Sequence, residues 1–231
     1  DGICIRTIKL CFDAIGVPLL NIVNACLDNC DFPVAWKHSL IHPIHKSGPR
    51  SNPANFRPIS LVPIMAKIVE RIVQRQLYAY LSTNNLLASS QHGFRPLHST
   101  ETALLSVSDY ILSAMDRGDL TLLCLIDLSK CFDVIDHSKL LTKLQQHGVD
   151  AEWFRSYLTD HTQSVSITDS ATGRRCLSRP LPNGIGVFQG SALGPLLYTV
   201  FANDLSHYPL DAHIVQYADD TQVLVSGSKD D

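Results

Sequence analysis

His213-Ile214-Val215-Gln216-Tyr217 and Gln222-Val223-Leu224-Val225 are strand-like runs separated by Ala218-Asp219-Asp220-Thr221. The reading is a β-hairpin with an acidic tip, held by apolar flanks that need burial on at least one face. Asp is an ordinary turn residue, so either carboxylate alone says only that the chain reverses. Two adjacent carboxylates repel each other unless a cation sits beside them.

Upstream, Thr121-Leu122-Leu123-Cys124-Leu125-Ile126 is an unbroken apolar run that ends at Asp127. It reads as a buried strand. Asp127 is expensive to desolvate there, and its plainer role is to open a turn or cap the next helix. With this strand beside the hairpin, Asp127, Asp219 and Asp220 converge into a site for a hard divalent cation. Mg²⁺ is the natural occupant because it takes oxygen ligands and shares them with phosphates. Spacing leaves open whether the strands are neighbours.

The rest of the chain reads as a mixture of helices and strands, with a helical beginning and a sheet in its second half. Residues 4 to 30 predict two helices broken near Gly16-Val17-Pro18, and Ser39 to Ile44 a short strand. Lys46 to Asn55 is loop-like, and Pro63 to Leu81 is an amphipathic helix with Ile64, Ile68, Ile72 and Leu77 on or near one face. Ser99 caps a helix running to about Met115, and Asp136 caps another over Ser138 to Gln146. A short helix is expected over Ala151 to Leu158, a strand at Ser164 to Ile167, and a turn at Ala171 to Gly173. Gly184 to Gly190 is a glycine-rich loop leading into a helix at Leu193 to Leu205.

Composition sets the limits. The chain has 231 residues, 45% hydrophobic and 18% charged, the balance of a globular protein with a sizeable core. No apolar run reaches the length of a membrane span. The first residue is Asp1 and no basic-then-apolar leader follows, so a cut within a longer protein is expected at this end, and equally at the Ser226–Asp231 tail. The net charge of −3 argues mildly against nucleic acid, since phosphate neutralisation favours a cationic surface. The seven cysteines are scattered and read as buried free thiols. Cys26 and Cys30 lack a second ligand pair, so zinc is not expected.

Five ordered motifs then point one way. Tyr217-Ala218-Asp219-Asp220 resembles the YxDD hairpin of reverse transcriptases, and Leu125-Ile126-Asp127-Leu128-Ser129-Lys130-Cys131-Phe132-Asp133 resembles the first palm motif of non-LTR elements. Gly186-Val187-Phe188-Gln189-Gly190-Ser191-Ala192-Leu193-Gly194-Pro195 resembles the GxPQGSxLGP motif. Pro43-Ile44-His45-Lys46 with Asn55 to Leu61, and Gln91-His92-Gly93-Phe94-Arg95 with Ser99-Thr100, resemble two fingers motifs. The chain is thus similar to the reverse transcriptase domain of a non-LTR (LINE-type, jockey-like) retrotransposon.

That resemblance implies an α+β right-hand polymerase with an antiparallel palm sheet and the thumb missing. Fingers would span 1–118 and palm 119–231, with 140–180 a candidate return to the fingers. It makes Asp127, Asp219 and Asp220 the catalytic carboxylates and, with the Leu128 carbonyl, the ligands of two Mg²⁺ ions, Mn²⁺ being the alternative. Lys46 and Arg57 would hold the triphosphate, Gln189 and Gly190 line the nucleotide, and Phe132 exclude a ribose 2′-hydroxyl. Without the family, Lys46 and Arg57 are solvated surface charges and Phe132 a core ring. Arg95 would touch the template or brace the fingers, and Tyr217 would pack near the primer end or be a plain strand aromatic. RNA template, DNA primer end and dNTPs are the implied partners, with no membrane and no protein partner to infer. The implied location is nucleus and cytoplasm, as a ribonucleoprotein.

Phe188 departs from the pattern, which has proline there. Proline stiffens a loop, so Phe188 is expected to loosen it and to bring bulk close to the nucleotide. The fragment, ending before any thumb, endonuclease or RNase H segment, is expected to polymerise poorly alone. The competing expectation is a catalytically dead or domesticated nucleic-acid-binding relic. An RNA-directed RNA polymerase is a third, disfavoured by Phe132.

Overall fold

The computed structural model describes residues 3–128, 130–169, 172–207 and 211–228. Ser129 of the first palm motif, Ala171 of the expected turn, Asp1 and residues 229–231 of the tail lie outside the described residues. The chain divides into two compact units, Asp1–Leu77 with Phe132–Gly194, and Tyr78–Cys131 with Pro195–Asp231.

The first unit begins with α1 (Ile5–Leu10) and α2 (Phe12–Asp28). The break falls at Cys11, not at Gly16-Val17-Pro18, and Pro18 sits inside α2. The Cys11 carbonyl accepts from both Ala14 and Ile15, so a new helix starts there and runs through the proline. A five-stranded mixed sheet follows, built from β1 (His38–His45), β2 (Phe56–Leu61), β4 (His161–Thr168), β5 (Arg175–Leu177) and β6 (Leu181–Asn183). It begins at residue 38, earlier than expected, because β1 pairs in parallel with β4, His38 opposite Thr162. Its helices are α5 (His137–Gln146), capped by the Asp136 carboxylate accepting from Lys139 N–H, and α6 (Glu152–Leu158). Phe32 is the hub of an aromatic core, with Trp36, Trp153 and Tyr157 edge-on around it at 5.8, 5.9 and 5.0 Å.

α3 (Ile64–Thr83) contains the boundary between the units. Its buried stripe is Ala66, Val69, Glu70, Val73, Leu77 and Leu81, displaced from the expected isoleucines, which flank it half-buried.

The second unit is a three-stranded antiparallel sheet in the order β3-β8-β7, from β3 (Leu120–Ile126), β7 (His213–Tyr217) and β8 (Asp220–Gly227). α4 (Thr100–Asp116) packs on one face, where Ala103 and Val107 meet Val215 and Leu224, with Tyr110, Ile111 and Tyr217 around them. α7 (Gly194–Ala202) and a short 3₁₀ turn precede β7. The apolar run of β3 is not buried: Leu122 is 72% and Leu125 70% exposed. β3 is an edge strand, and the buried cluster under α4 takes its sheet residues from β7 and β8, Val215 and Leu224, so hydrophobicity alone misplaces β3. For the same reason Cys124 is exposed, as are Cys4, Cys11 and Cys176. Only Cys26 and Cys131 of the free thiols are buried, against expectation.

Candidate functional site

The hairpin forms as its sequence requires. β7 and β8 pair antiparallel with Tyr217 opposite Asp220, which leaves Ala218 and Asp219 as the two-residue turn. Ala218 has φ +56°, a left-handed conformation that costs a residue with a Cβ. On its other edge β8 pairs with β3, Ile126 opposite Thr221. One residue further along, the register sets Asp127 level with Asp220. The backbone therefore carries Asp127, Asp219 and Asp220 to one end of one sheet. Asp127 and Asp220 are exposed and Asp219 half-buried.

These carboxylates are hard oxygen donors of the kind Mg²⁺ selects, so the donor chemistry fits the expected ion. The side chains are not drawn into a ready-made cage: among the described residues, no group of three or more His, Cys, Asp or Glu could hold a metal ion. Leu128, whose carbonyl completes the expected set, is exposed and follows Asp127 in sequence.

Two residues without an expected role belong to this end. Tyr198 of α7 is buried, and its phenol is pushed up by desolvation first, then by Cys131 and by the Asp219 and Asp220 charges. Gln91, 2% exposed, is bonded to the hairpin turn itself. Gln91 stands in a quoted motif, but nothing in its neighbourhood announces a contact with residue 218. Tyr198 carries no local signal at all.

Arg95 braces the same loop, its Nη1 donating to the carbonyls of Ala88 at 2.6 Å and Gln91 at 3.2 Å. Tyr217 packs against the α4 cluster as a strand aromatic.

The first unit gathers the expected nucleotide-binding residues. Arg57 lies opposite Ile44 in the β1–β2 ladder, and Lys46 N–H continues it to the Asn55 carbonyl at 2.8 Å. Lys46 and Arg57 thus sit diagonally on one exposed face of a hairpin. At the other end of β2, Ser60 N–H donates to the Gln189 carbonyl at 2.7 Å, which ties the glycine-rich loop to the strand bearing Arg57. Gly190 has φ +115°, and a Cβ there would stand 2.7 Å from the Ser60 carbonyl oxygen. The Gln189 amide donates to Asp133 at 2.9 Å, and Val187 N–H donates to the carbonyl of half-buried Phe132 at 2.8 Å. The loop is held from behind by Glu70, a 1% exposed carboxylate that accepts from Ala192 N–H at 2.6 Å and from the Tyr157 hydroxyl at 2.9 Å. Burial pushes the Glu70 carboxyl up, against the pull of those two bonds.

Phe188 corrects one expectation. Its ring is buried against the His161 imidazole, centroids 4.7 Å apart, so its bulk goes into the core of the first unit. Ser191 N–H closes a turn onto the Phe188 carbonyl at 3.1 Å.

A family model described as "Reverse transcriptase (RNA-dependent DNA polymerase)" matches residues 44–231. The chain is 35% identical over 229 residues to the RNA-directed DNA polymerase from mobile element jockey of Drosophila melanogaster, covering 95% of this chain and 24% of that protein. It is 34% identical over 242 aligned positions to the probable RNA-directed DNA polymerase from transposon BS of the same fly, covering 99% of this chain and 26% of that protein. The chain therefore spans about a quarter of the length of these curated relatives. Among solved structures it is similar to apo telomerase from Candida tropicalis truncated from its C-terminal domain, with a TM-score of 0.57 at 14% identity over 93% of this chain and 49% of that one. Telomerase from Candida albicans in complex with a TWJ fragment of telomeric RNA gives 0.53 at 15%, covering 84% and 39%. At such identities the likeness speaks for the fold alone.

Proposed function

This chain belongs to the reverse transcriptase (RNA-dependent DNA polymerase) family, with jockey-type enzymes of non-LTR retrotransposons as relatives, and from that premise we propose that it carries the nucleotidyl-transfer site of an RNA-directed DNA polymerase. The supporting observation is the register of β3 against β8, which sets Asp127 level with the acidic hairpin. Asp127 and Asp219 would be the main ligands of two Mg²⁺ ions, or of Mn²⁺, with Asp220 and the Leu128 carbonyl in support. Such ions activate a hydroxyl and neutralise a leaving pyrophosphate. Lys46 and Arg57 would grip the triphosphate of a dNTP, Arg in bidentate fashion and Lys as a point charge. Gln189 and Gly190 line the nucleotide, and the Phe132 ring leaves no room for a 2′-hydroxyl. The primer 3′-oxygen then attacks the α-phosphorus, the bond to the bridging oxygen breaks, and pyrophosphate departs. RNA template and DNA primer are held mainly through backbone and duplex shape, with Arg95 and Tyr217 nearest that role.

Fingers over 1–118 and palm over 119–231, with 140–180 returning to the fingers, belong to the same proposal, as does a ribonucleoprotein of nucleus and cytoplasm. No helix among the described residues is long and apolar enough to cross a membrane.

The second reading, a nucleic-acid-binding relic, is motivated by Phe188, which stands where the family motif has proline. Primer extension on an RNA template with Mg²⁺ and dNTPs, using the full-length protein that carries this chain, separates the two. Extension by the parent, lost in a folded Asp219→Ala variant, is the expected result. Equal extension by both sinks the polymerase site. Extension by neither, with the template–primer still bound, makes the chain a relic.

A further inference from the structure

We propose that Gln91 is a positioning residue for the acidic hairpin: its side-chain amide acts as a clamp that holds Ala218 left-handed and so fixes where Asp219 and Asp220 stand. The inference rests on the polymerase reading for its purpose, and on geometry within the second unit for its substance. Gln91 Oε1 accepts from Ala218 N–H at 3.0 Å and from Gly93 N–H at 2.7 Å, while Gln91 Nε2 donates to the Ala218 carbonyl at 3.2 Å. One amide thus satisfies both backbone groups of the one turn residue with positive φ. A two-residue turn leaves these groups out of the β7–β8 ladder, and burial without a partner would be costly.

The clamp is itself anchored. Gln216 N–H donates to the Ser90 carbonyl at 2.8 Å and His92 N–H to the Gln216 carbonyl at 2.7 Å, so residues 90–92 run as a short parallel bridge along the free edge of β7. Gly93 closes the approach: a Cβ there would lie 2.1 Å from Ala218 N and 2.7 Å from Ala218 Cα. Glycine at 93 is needed for contact, since only a residue without a side chain lets this loop reach the turn. Arg95 ties the far side of the loop through the Ala88 and Gln91 carbonyls. The carboxylates are more exposed than the clamp, so the strain at Ala218 is borne from behind, away from substrate.

Amide hydrogen exchange and Mn²⁺ titration by electron paramagnetic resonance test this on the chain as it stands. In the parent, Ala218 N–H is expected to be protected although it lies outside the strand ladder. Fast exchange there overturns the clamp without any variant. In Gln91→Leu, Ala218 exchange is expected to accelerate while Val223 and Leu224 of β8 hold. Mn²⁺ affinity is expected to fall at least about tenfold, the usual loss when a partner behind a ligand is removed. Adding Ala218→Gly, which takes positive φ without strain, is expected to recover part of that affinity, a rescue that a purely structural role for Gln91 would not give. Unchanged Ala218 exchange in a folded Gln91→Leu protein refutes the inference. Mn²⁺ binding by the parent that survives Asp219→Ala refutes the metal site instead, and the exchange result still decides the clamp.

Discussion

The Phe188 ring lies under the glycine-rich loop with His161 against it, and the pair is sealed from solvent. Replacing Phe188 by the family's proline removes most of the ring and leaves a hole that a close-packed core fills only partly. The Phe188→Pro chain is expected to lose roughly 2 to 4 kcal/mol in urea unfolding. A variant equal to the parent in stability would show that the ring is not a packing residue. Glu70 makes the opposite case, a polar group whose worth lies in what it satisfies. Glu70→Ala leaves Ala192 N–H and the Tyr157 hydroxyl without their partner in a buried place. It is expected to cost about 3 kcal/mol and to raise KM for dNTPs through the loosened loop, readable by unfolding and by steady-state extension.

At the scale of elements, α4 is the beam on which the acidic sheet rests, and it starts with a reciprocal capping box between Ser99 and Thr102. Ser99→Ala is expected to lower stability by about 1 kcal/mol and to speed exchange in the first turn of α4 while its last turn is unchanged. A uniform change along the helix would contradict a capping role. Such caps are legible in sequence because both partners lie within one turn, as with Asp136 and Lys139. The hairpin was legible for the same reason. Long-range pairings were not: nothing near His38 announces Thr162, and nothing near Gln91 announces Ala218. The exposure of β3 was misread because an apolar run reports affinity for burial, whereas burial is decided by what covers the strand. The candidate carboxylates were legible as residues; their shared sheet end needed the β3–β8 register.

Across the whole molecule, each unit carries a histidine held below its ordinary value by burial. His161 in the first is lowered to about 4, by desolvation first and by Lys37 and His137 after it. His92 in the second is lowered by desolvation, then by His98, Arg95 and His213. A group with a depressed folded pKa binds more protons when unfolded, so its contribution is full above the unfolded value and is lost as pH falls through the folded one. For His161 the window runs from 6.5 down to about 4, worth about 3 kcal/mol at most. Glu70 works in the other sense: its carboxyl is raised, so its contribution is full below 4.5 and fades as pH rises through the folded value. The two act in opposite directions as pH falls, and the parent curve is expected to fall less steeply than His161 alone dictates. His161→Gln separates them. Urea unfolding at pH 7 and pH 5 should show the parent losing stability on acidification and the variant losing less. An equal loss in both would place the acid sensitivity elsewhere, with His92 the next residue to replace.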